Sequence, residues 1–183
     1  MSLLKSFRSA SSRRSWISGV FALLVLPLAI LATGCDVSAP DVVTLTPGQE
    51  WIRDNLAGNW TSQHGEFMRI TNAFAFSWGM GGEHAFETTG TAVDVVLFNE
   101  QGTHGIIFVR LNPGMTNWDG SPLQGFTGYR FNNLTASQVN VAASSENFLG
   151  ATTTTLAAAK EKFTVHTLDT YFANMTSLFT RGQ

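Results

Sequence analysis

The chain of 183 residues is poor in cysteine and in charge. It contains one Cys, so neither an internal disulfide nor a zinc site built from cysteines can form. Only 13% of its residues are charged while 44% are hydrophobic, a balance that excludes an intrinsically disordered chain. The length suffices for one globular domain and a leader, and it is too short for two catalytic domains.

No hydrophobic run near the N-terminus reaches the length of a membrane-spanning helix. Residues 17–31 are almost wholly apolar and follow a segment that carries basic but no acidic side chains. As a helix, this run would extend about 22 Å, less than the ~30 Å hydrocarbon core of a bilayer. Pro27 weakens it further. We therefore interpret residues 1–34 as a cleaved signal peptide.

The apolar run ends in Leu31-Ala32-Thr33-Gly34-Cys35, which resembles the lipobox of bacterial lipoproteins. The motif implies that Cys35 carries a diacylglyceryl thioether and becomes the mature N-terminus. Two or three acyl chains anchor a protein stably, whereas a single chain holds it only marginally. We expect a membrane-anchored lipoprotein with a linker at 35–45 and one domain at 46–183. The paired arginines Arg13 and Arg14 leave Sec and twin-arginine export both open.

The predicted mature chain is acidic. Removal of residues 1–34 leaves 7 Lys and Arg against 13 Asp and Glu, a formal charge of −6. A surface of this sign argues against nucleic acid and against an anionic bilayer as electrostatic partners. We therefore expect membrane contact through the N-terminal lipid alone, on the periplasmic or surface face of the bacterial cell envelope. Whether the inner or the outer membrane carries the anchor stays open.

Extended segments with a period of two dominate the chain after Gly58. Two series of bulky residues alternate with other residues and are each predicted on one strand face: Phe74, Phe76 and Trp78, and Val93, Val95 and Leu97. A polar break at 99–102 predicts that residues 93–98 and 104–111 pair as an antiparallel hairpin. Residues 125–131 and 138–142 are predicted to form a second hairpin.

Two short helices and one ambiguous segment complete the pattern. Thr46-Pro47-Gly48-Gln49 fits a helix start with Thr46 as N-cap, and the helix is predicted to run to about Leu56. Residues 156–163 have high helix propensity. Residues 168–179 have the spacing of a helix and also that of a strand. The need to pair an open sheet edge favours a closing strand.

These elements predict a mainly β fold, an antiparallel meander of six to eight strands with one or two short helices. Such a sheet removes its exposed edges by closing into a barrel. Gly58-Asn59-Trp60 resembles the G-x-W that opens lipocalin-like barrels. The resemblance implies a structural role for Gly58 and for Trp60, which would pack across the closed end.

A longer resemblance covers residues 56–181. Besides Gly58-Asn59-Trp60, three stretches are similar to a family of small uncharacterised bacterial lipoproteins: Glu66-Phe67-Met68-Arg69-Ile70-Thr71, Gly128-Tyr129-Arg130-Phe131 and residues 156–165. The family implies an envelope location and offers no established activity or catalytic residues.

Sequence motifs of common enzymes are missing from the predicted mature chain. It has no nucleophile elbow, P-loop, dinucleotide-binding glycine loop or H-E-x-x-H zinc motif. Ser121, Asp119 and His104 or His84 have the residue types of a hydrolase triad, but Ser121 precedes Pro122 in an irregular loop. We therefore predict a protein that is not an enzyme and needs no cofactor.

A minor metal-binding role remains an alternative. Met80 and His84, close to Trp78 in sequence, form a soft donor set that suits Cu(I), and zinc is the other candidate. Turn histidines at one barrel end could also combine with Glu66, Glu83 or Glu87. Against this, Met is a common gap-filler in cores, and residues 79–82 are predicted to form a plain turn.

Aromatic side chains are the most informative remaining feature, with 18 in the 149 residues of the predicted mature chain. Inside a small barrel such rings either fill the lumen as core or line a pocket for an apolar ligand. The ligand-binding candidates are Phe74, Phe76, Trp78, Phe98 and Tyr129. Our main hypothesis is a lipid-anchored barrel that binds a small apolar molecule. The alternative is a solid barrel whose loops at 112–124, with Trp118, and 143–155 contact another envelope protein.

Overall fold

The computed structural model describes residues 44–82, 85–117, 119–147, 149–172 and 177–182. Eight antiparallel strands form a closed barrel, which confirms the predicted mainly β fold. These strands are β1 (Gly58–Ser62), β2 (Glu66–Ile70), β3 (Ala75–Met80), β4 (Phe86–Leu97), β5 (Gly105–Leu111), β6 (Phe126–Asn132), β7 (Gln138–Ala143) and β10 (Ser177–Arg181). Strands β8 (Ser145–Glu146) and β9 (Leu149–Gly150) form a separate small hairpin.

The barrel is a meander in which each strand pairs with the next, and β10 closes the gap between β7 and β1. Because the strands alternate in direction, their ends fall into two sets. We call the end that contains Gly58, Ile70, Leu97 and Phe131 the helix end. The opposite end, which contains Glu66, Met80, Leu111 and Ala143, is called the loop end.

The described chain has three short α-helices, α1 (Pro47–Asn55), α2 (Leu156–Lys162) and α3 (Leu168–Tyr171), and a 3-10 helix at Val165–Thr167. The predicted start of α1 is confirmed. The Thr46 hydroxyl accepts from the Gln49 backbone N–H, and the Gln49 side chain accepts from the Thr46 backbone N–H, which forms a capping box. None of the helices in these described residues is long and apolar enough to cross a bilayer.

Both predicted hairpins are confirmed, with β4 paired to β5 and β6 paired to β7. The predicted single face of Val93, Val95 and Leu97 is wrong, because β4 contains a bulge. Ala92 pairs with Val109 and Asp94 with Phe108, which leaves Val93 as the extra residue. Val95 therefore packs into the lumen, while Val93 packs on the outside of the barrel.

Strand β3 has the predicted alternation, with Phe76 and Trp78 buried and Ala75 exposed. Phe74, however, lies before the strand, in the tight turn that follows β2, with a positive φ of 64°. Met80 still belongs to β3, so the strand extends past Gly79, where a turn was expected. A Cβ at Gly79 would lie 2.1 Å from the Phe86 carbonyl oxygen, which explains why glycine fits this strand pair.

The ambiguous C-terminal segment contains both structures in succession. Residues Leu168–Tyr171 form α3, and residues Ser177–Arg181 form β10, which pairs with β1 on one side and β7 on the other. The predicted closing strand is thus present, and it is shorter than the segment that showed strand spacing. Closure by β10 gives the backbone groups of β1 and β7 partners that they would otherwise lack.

Trp60 and helix α1 fill the helix end of the barrel. Trp60 is fully buried, and its indole N–H donates to the Leu56 carbonyl oxygen at 2.9 Å. The Arg181 guanidinium lies 4.3 Å above the Trp60 ring and donates to the Asn55 carbonyl oxygen at the end of α1. Trp51 of α1 stacks on Phe131 at 5.3 Å. The helix end is consequently packed with side chains.

A second apolar cluster lies outside the barrel wall, and we call it the outer cluster. Its buried members are Ile106, Phe108, Ala142, Ala151, Ala159, Phe163, Leu168 and Phe172. Gly128 of β6 makes the approach of this layer possible, because a Cβ there would lie 3.1 Å from Phe163 and 3.3 Å from Phe172. The segment between β7 and β10 is thereby attached to the barrel.

Candidate functional site

A cavity of about 730 Å³ lies at the loop end of the barrel. Its wall is made largely of apolar side chains, among them Trp78, Met80, Leu111, Leu123, Tyr129 and Phe172. The volume falls within the range of small-molecule pockets, roughly 300 to 1,000 Å³. The two ends of the lumen therefore differ: side chains fill one, and the other contains an open pocket of ligand size.

Aromatic rings form the inner wall of this cavity. The Tyr129 ring lies 5.4 Å from the ring of Trp78 and 4.5 Å from that of Phe76, which continues the stack towards the helix end. Trp78 also lies 5.2 Å from Phe179. Burial raises the pKa of the Tyr129 hydroxyl, and a hydrogen bond with Thr88 opposes that shift. Tyr129 therefore stays neutral, and the residue lines the cavity.

The hydroxyl groups of Thr127 and Ser144 in the cavity wall are already satisfied. Their oxygens lie 2.9 Å apart, and both hydroxyls approach the Ala151 carbonyl oxygen, at 2.9 Å for Thr127 and 3.0 Å for Ser144. This buried network attaches the segment after β7 to strand β6. Its role is to fix the wall, since its donors are used within the protein.

Glu66 is the buried acidic side chain of the wall. It begins β2, and the alternation of that strand places it on the inner face with Met68 and Ile70. Only 8% of the residue is exposed. Its backbone N–H donates to the Ser62 hydroxyl at 3.2 Å, but the side-chain oxygen Oε2 is buried without a hydrogen-bond partner among the described residues.

The described lining is acidic as well as apolar. It includes the buried residue Glu66 and the exposed residue Glu87, and no Lys, Arg or His. Glu87 pairs with Gly79 of β3, so strand alternation directs its side chain away from the lumen. Glu66 was anticipated from the sequence only as a companion of a metal-binding histidine. The alternation of Glu66, Met68 and Ile70 was a signal that it faces the lumen.

The predicted ligand-binding residues fall into three groups. Trp78 and Tyr129 line the cavity, and Phe76 contacts Tyr129 beneath it. Phe74 is buried in the lumen core from the turn at the helix end. Phe98 does not line this cavity, because it packs against the outer cluster with its ring 5.1 Å from that of His104. The bulge in β4, which shifts the strand's alternation, accounts for this placement.

Most residues of the metal and anchor predictions are not among the described residues of the cavity wall. Met80 lines the cavity, whereas His84, Trp118 and Cys35 lie outside the described residues. Within the described ranges, no group of three or more His, Cys, Asp or Glu side chains is arranged to hold a metal ion. The metal role stays a prediction.

The residue types of a hydrolase triad are brought together only in part. The Ser121 hydroxyl donates to the Asp119 carboxylate at 2.6 Å, and this bond lowers the pKa of Asp119. Both residues are partly or fully exposed in the loop between β5 and β6. His104 lies beside β5 at the helix end, the opposite end of the barrel, so it does not act on Ser121.

No protein-family model matches the chain, and comparisons with curated proteins and with solved structures find no match either.

Proposed function

We propose that this chain is a lipid-anchored protein of the bacterial cell envelope that binds a small, largely apolar ligand in the loop end of its barrel, without catalysing a reaction. The observation that carries the proposal is the cavity of about 730 Å³ bounded by Trp78, Tyr129 and aliphatic side chains.

The cavity supports ligand binding over a solid barrel with a purely structural role. Protein interiors are normally packed as densely as organic crystals, and empty space in them costs stability. The helix end of the same lumen follows that rule, with Ile52, Leu56 and Trp60 fully buried. A hollow of ligand size at the other end is therefore consistent with selection for an occupant.

The proposed location rests on the N-terminal residues and on charge. The resemblance of residues 31–35 to a lipobox supports an acyl anchor on Cys35. The formal charge of −6 after residue 34 gives the folded part no electrostatic attraction to anionic lipid. The barrel would thus be held near the bilayer by lipid alone.

Equilibrium dialysis with a neutral probe tests the proposal. The full-length chain in lipid nanodiscs is dialysed against naphthylethanol, with empty nanodiscs as the blank. Ala143 lines the cavity directly opposite Tyr129 in the β6–β7 pair, so Ala143→Trp would fill the space. Val165→Trp, at a position that is 48% exposed, is the matched control.

We expect the wild type and Val165→Trp to retain naphthylethanol above the blank, and Ala143→Trp to lose most of this binding. Absence of binding by the wild type, or equal binding by the filled variant, would refute a lumenal ligand site. Circular dichroism of each variant verifies that the barrel has formed.

A further inference from the structure

The unpartnered oxygen of Glu66 points to the chemistry of the occupant. A carboxylate accepts hydrogen bonds and donates none, so its satisfaction requires a donor. The residue is 8% exposed, and Oε2 receives no hydrogen bond from the described residues. Buried polar groups in folded proteins nearly always have a partner, and an exception calls for an explanation. Glu66 lies in the wall of the cavity, so a bound molecule can supply that donor once the side chain turns Oε2 towards the open space.

The charge of the cavity wall favours a cationic ligand over an anionic one. Glu66 and Glu87 are present in the described lining, and no basic side chain accompanies them. Among the described residues, no ion pair involves either carboxyl group. An anionic ligand such as a fatty acid would meet like charge in a desolvated site, which is unfavourable. A cationic ligand would gain a charge-assisted hydrogen bond there.

The aromatic side chains of the wall also favour a cationic ligand. Across β2 and β3, Glu66 pairs with Met80 and Met68 pairs with Trp78. Glu66 and Trp78 are therefore diagonal neighbours on the inner faces of these strands. The Trp78 ring is in turn 5.4 Å from the Tyr129 ring. Faces of Trp and Tyr rings attract cations, most strongly where water is excluded. A protonated amine near Glu66 would lie within reach of both kinds of interaction.

We propose that the ligand is a small organic cation with an apolar body in the aromatic pocket and a protonated amine that donates to Glu66. This inference rests on the proposed lumenal binding function and names its ligand class. Glu66 supplies the charge selectivity, while Trp78 and Tyr129 bind the apolar body.

Three naphthyl probes that differ in the end group test this inference. The full-length chain in nanodiscs is dialysed against naphthylethylamine, naphthylethanol and naphthaleneacetate, and the dissociation constants are compared after subtraction of empty nanodiscs. We expect the amine to bind at least about tenfold more tightly than the alcohol, which corresponds to ~1.4 kcal/mol. The carboxylate should bind least.

Two variants assign the preference to one carboxyl group. Glu66→Gln keeps the shape of the side chain and removes its charge, so the preference for the amine over the alcohol should disappear. Glu87→Gln removes the exposed carboxyl group and should keep the preference. Circular dichroism of both variants verifies that the barrel has formed.

The outcomes separate the two proposals. If none of the three probes binds the wild type, lumenal ligand binding itself fails. If the alcohol binds but the amine binds no better, or if naphthaleneacetate binds most tightly, the cation class is wrong while the ligand site stands. A preference that survives in Glu66→Gln overturns the role of Glu66.

Discussion

At the scale of single residues, Glu66 combines a cost in stability with the proposed role in binding. A buried carboxylate oxygen without a partner is costly for a folded protein. The hydroxyl groups of Thr127 and Ser144 in the cavity wall have hydrogen-bond partners within the chain. Glu66 therefore differs from its neighbours in a way that packing does not explain.

The cost of Glu66 predicts the effect of neutralising it. Glu66→Gln should raise the free energy of unfolding of the unliganded chain by about 1 kcal/mol or more, because an amide is less costly than a charge to leave unpaired. Urea denaturation measures the change. Glu87→Gln, at an exposed position, should change stability by no more than about 0.5 kcal/mol. A Glu66→Gln chain that is less stable than wild type would contradict this account.

The lowered pKa of His104, at the helix end, predicts that the free energy of unfolding depends on pH. Burial, and secondarily the charge of Arg130, lower its pKa below the usual value of 6.5. The unfolded chain therefore binds the proton more readily than the folded one. The stability that the neutral ring contributes is complete above pH 6.5 and is lost as the pH falls from there through the lowered pKa.

We expect His104→Gln to flatten the decline of the unfolding free energy below pH 6.5. His64→Gln, at an exposed position in the β1–β2 connection, is the control and should retain the wild-type slope. Urea denaturation at a series of pH values measures both. Identical slopes for wild type and His104→Gln would show that His104 does not carry this dependence.

At the scale of elements, local patterns predicted the identity of strands and helices but not their irregularities. The capping box at Thr46 and the polar break before His104 are encoded within a few residues, and both predictions are confirmed. The bulge at Val93 depends on which residues of β5 pair with β4, and that information is not local. It reverses the face of every later residue in β4.

Attachment of the outer layer to the barrel depends on the absence of a side chain at Gly128. Gly128→Val should reduce the free energy of unfolding by about 1–3 kcal/mol, because the new side chain would overlap Phe163, Ile106 and Phe172. Since Phe172 also lines the cavity, binding of naphthylethanol should weaken.

Gly81→Val is the matched control for Gly128→Val. Position 81 has no positive φ, and the nearest atom to an added Cβ is 4.0 Å away. The free energy of unfolding of Gly81→Val should stay close to that of the wild type. Urea denaturation and dialysis of the probe test both variants, and equal stability of the two would show that the outer layer packs less tightly on β6 than the distances indicate.

At the scale of the whole molecule, the barrel was predictable and the cavity was not. Alternation along each strand and the need to close the sheet edge sufficed for the fold, including the final strand β10. The cavity wall combines residues from β2, β3, β4, β5, β6 and β7 with loops far apart in sequence. Trp78 and Tyr129 were found because they are bulky and regularly spaced. Glu66 was undervalued, since a single acidic residue at a strand start is common on protein surfaces.

Chemistry of the single cysteine tests the predicted anchor. We expect the chain taken from membranes of its own host to begin at Cys35, to carry the mass of its acyl groups, and to resist maleimide after denaturation, because a thioether has no free thiol. The chain has one Cys, so the maleimide reaction reports on this residue alone. The same chain produced in a cell-free system without lipidation enzymes is the control and should react. A reactive thiol in the host-derived chain would disprove the anchor.

Native mass spectrometry of the chain purified from its own host's membranes tests the central claim most directly. The account predicts a non-covalent small molecule, identified as an amine by fragmentation, on the wild type and on Val165→Trp but absent from Ala143→Trp. A wild-type chain that carries no added mass, or an adduct that persists when Ala143→Trp fills the cavity, would contradict a ligand held in the loop end of the barrel.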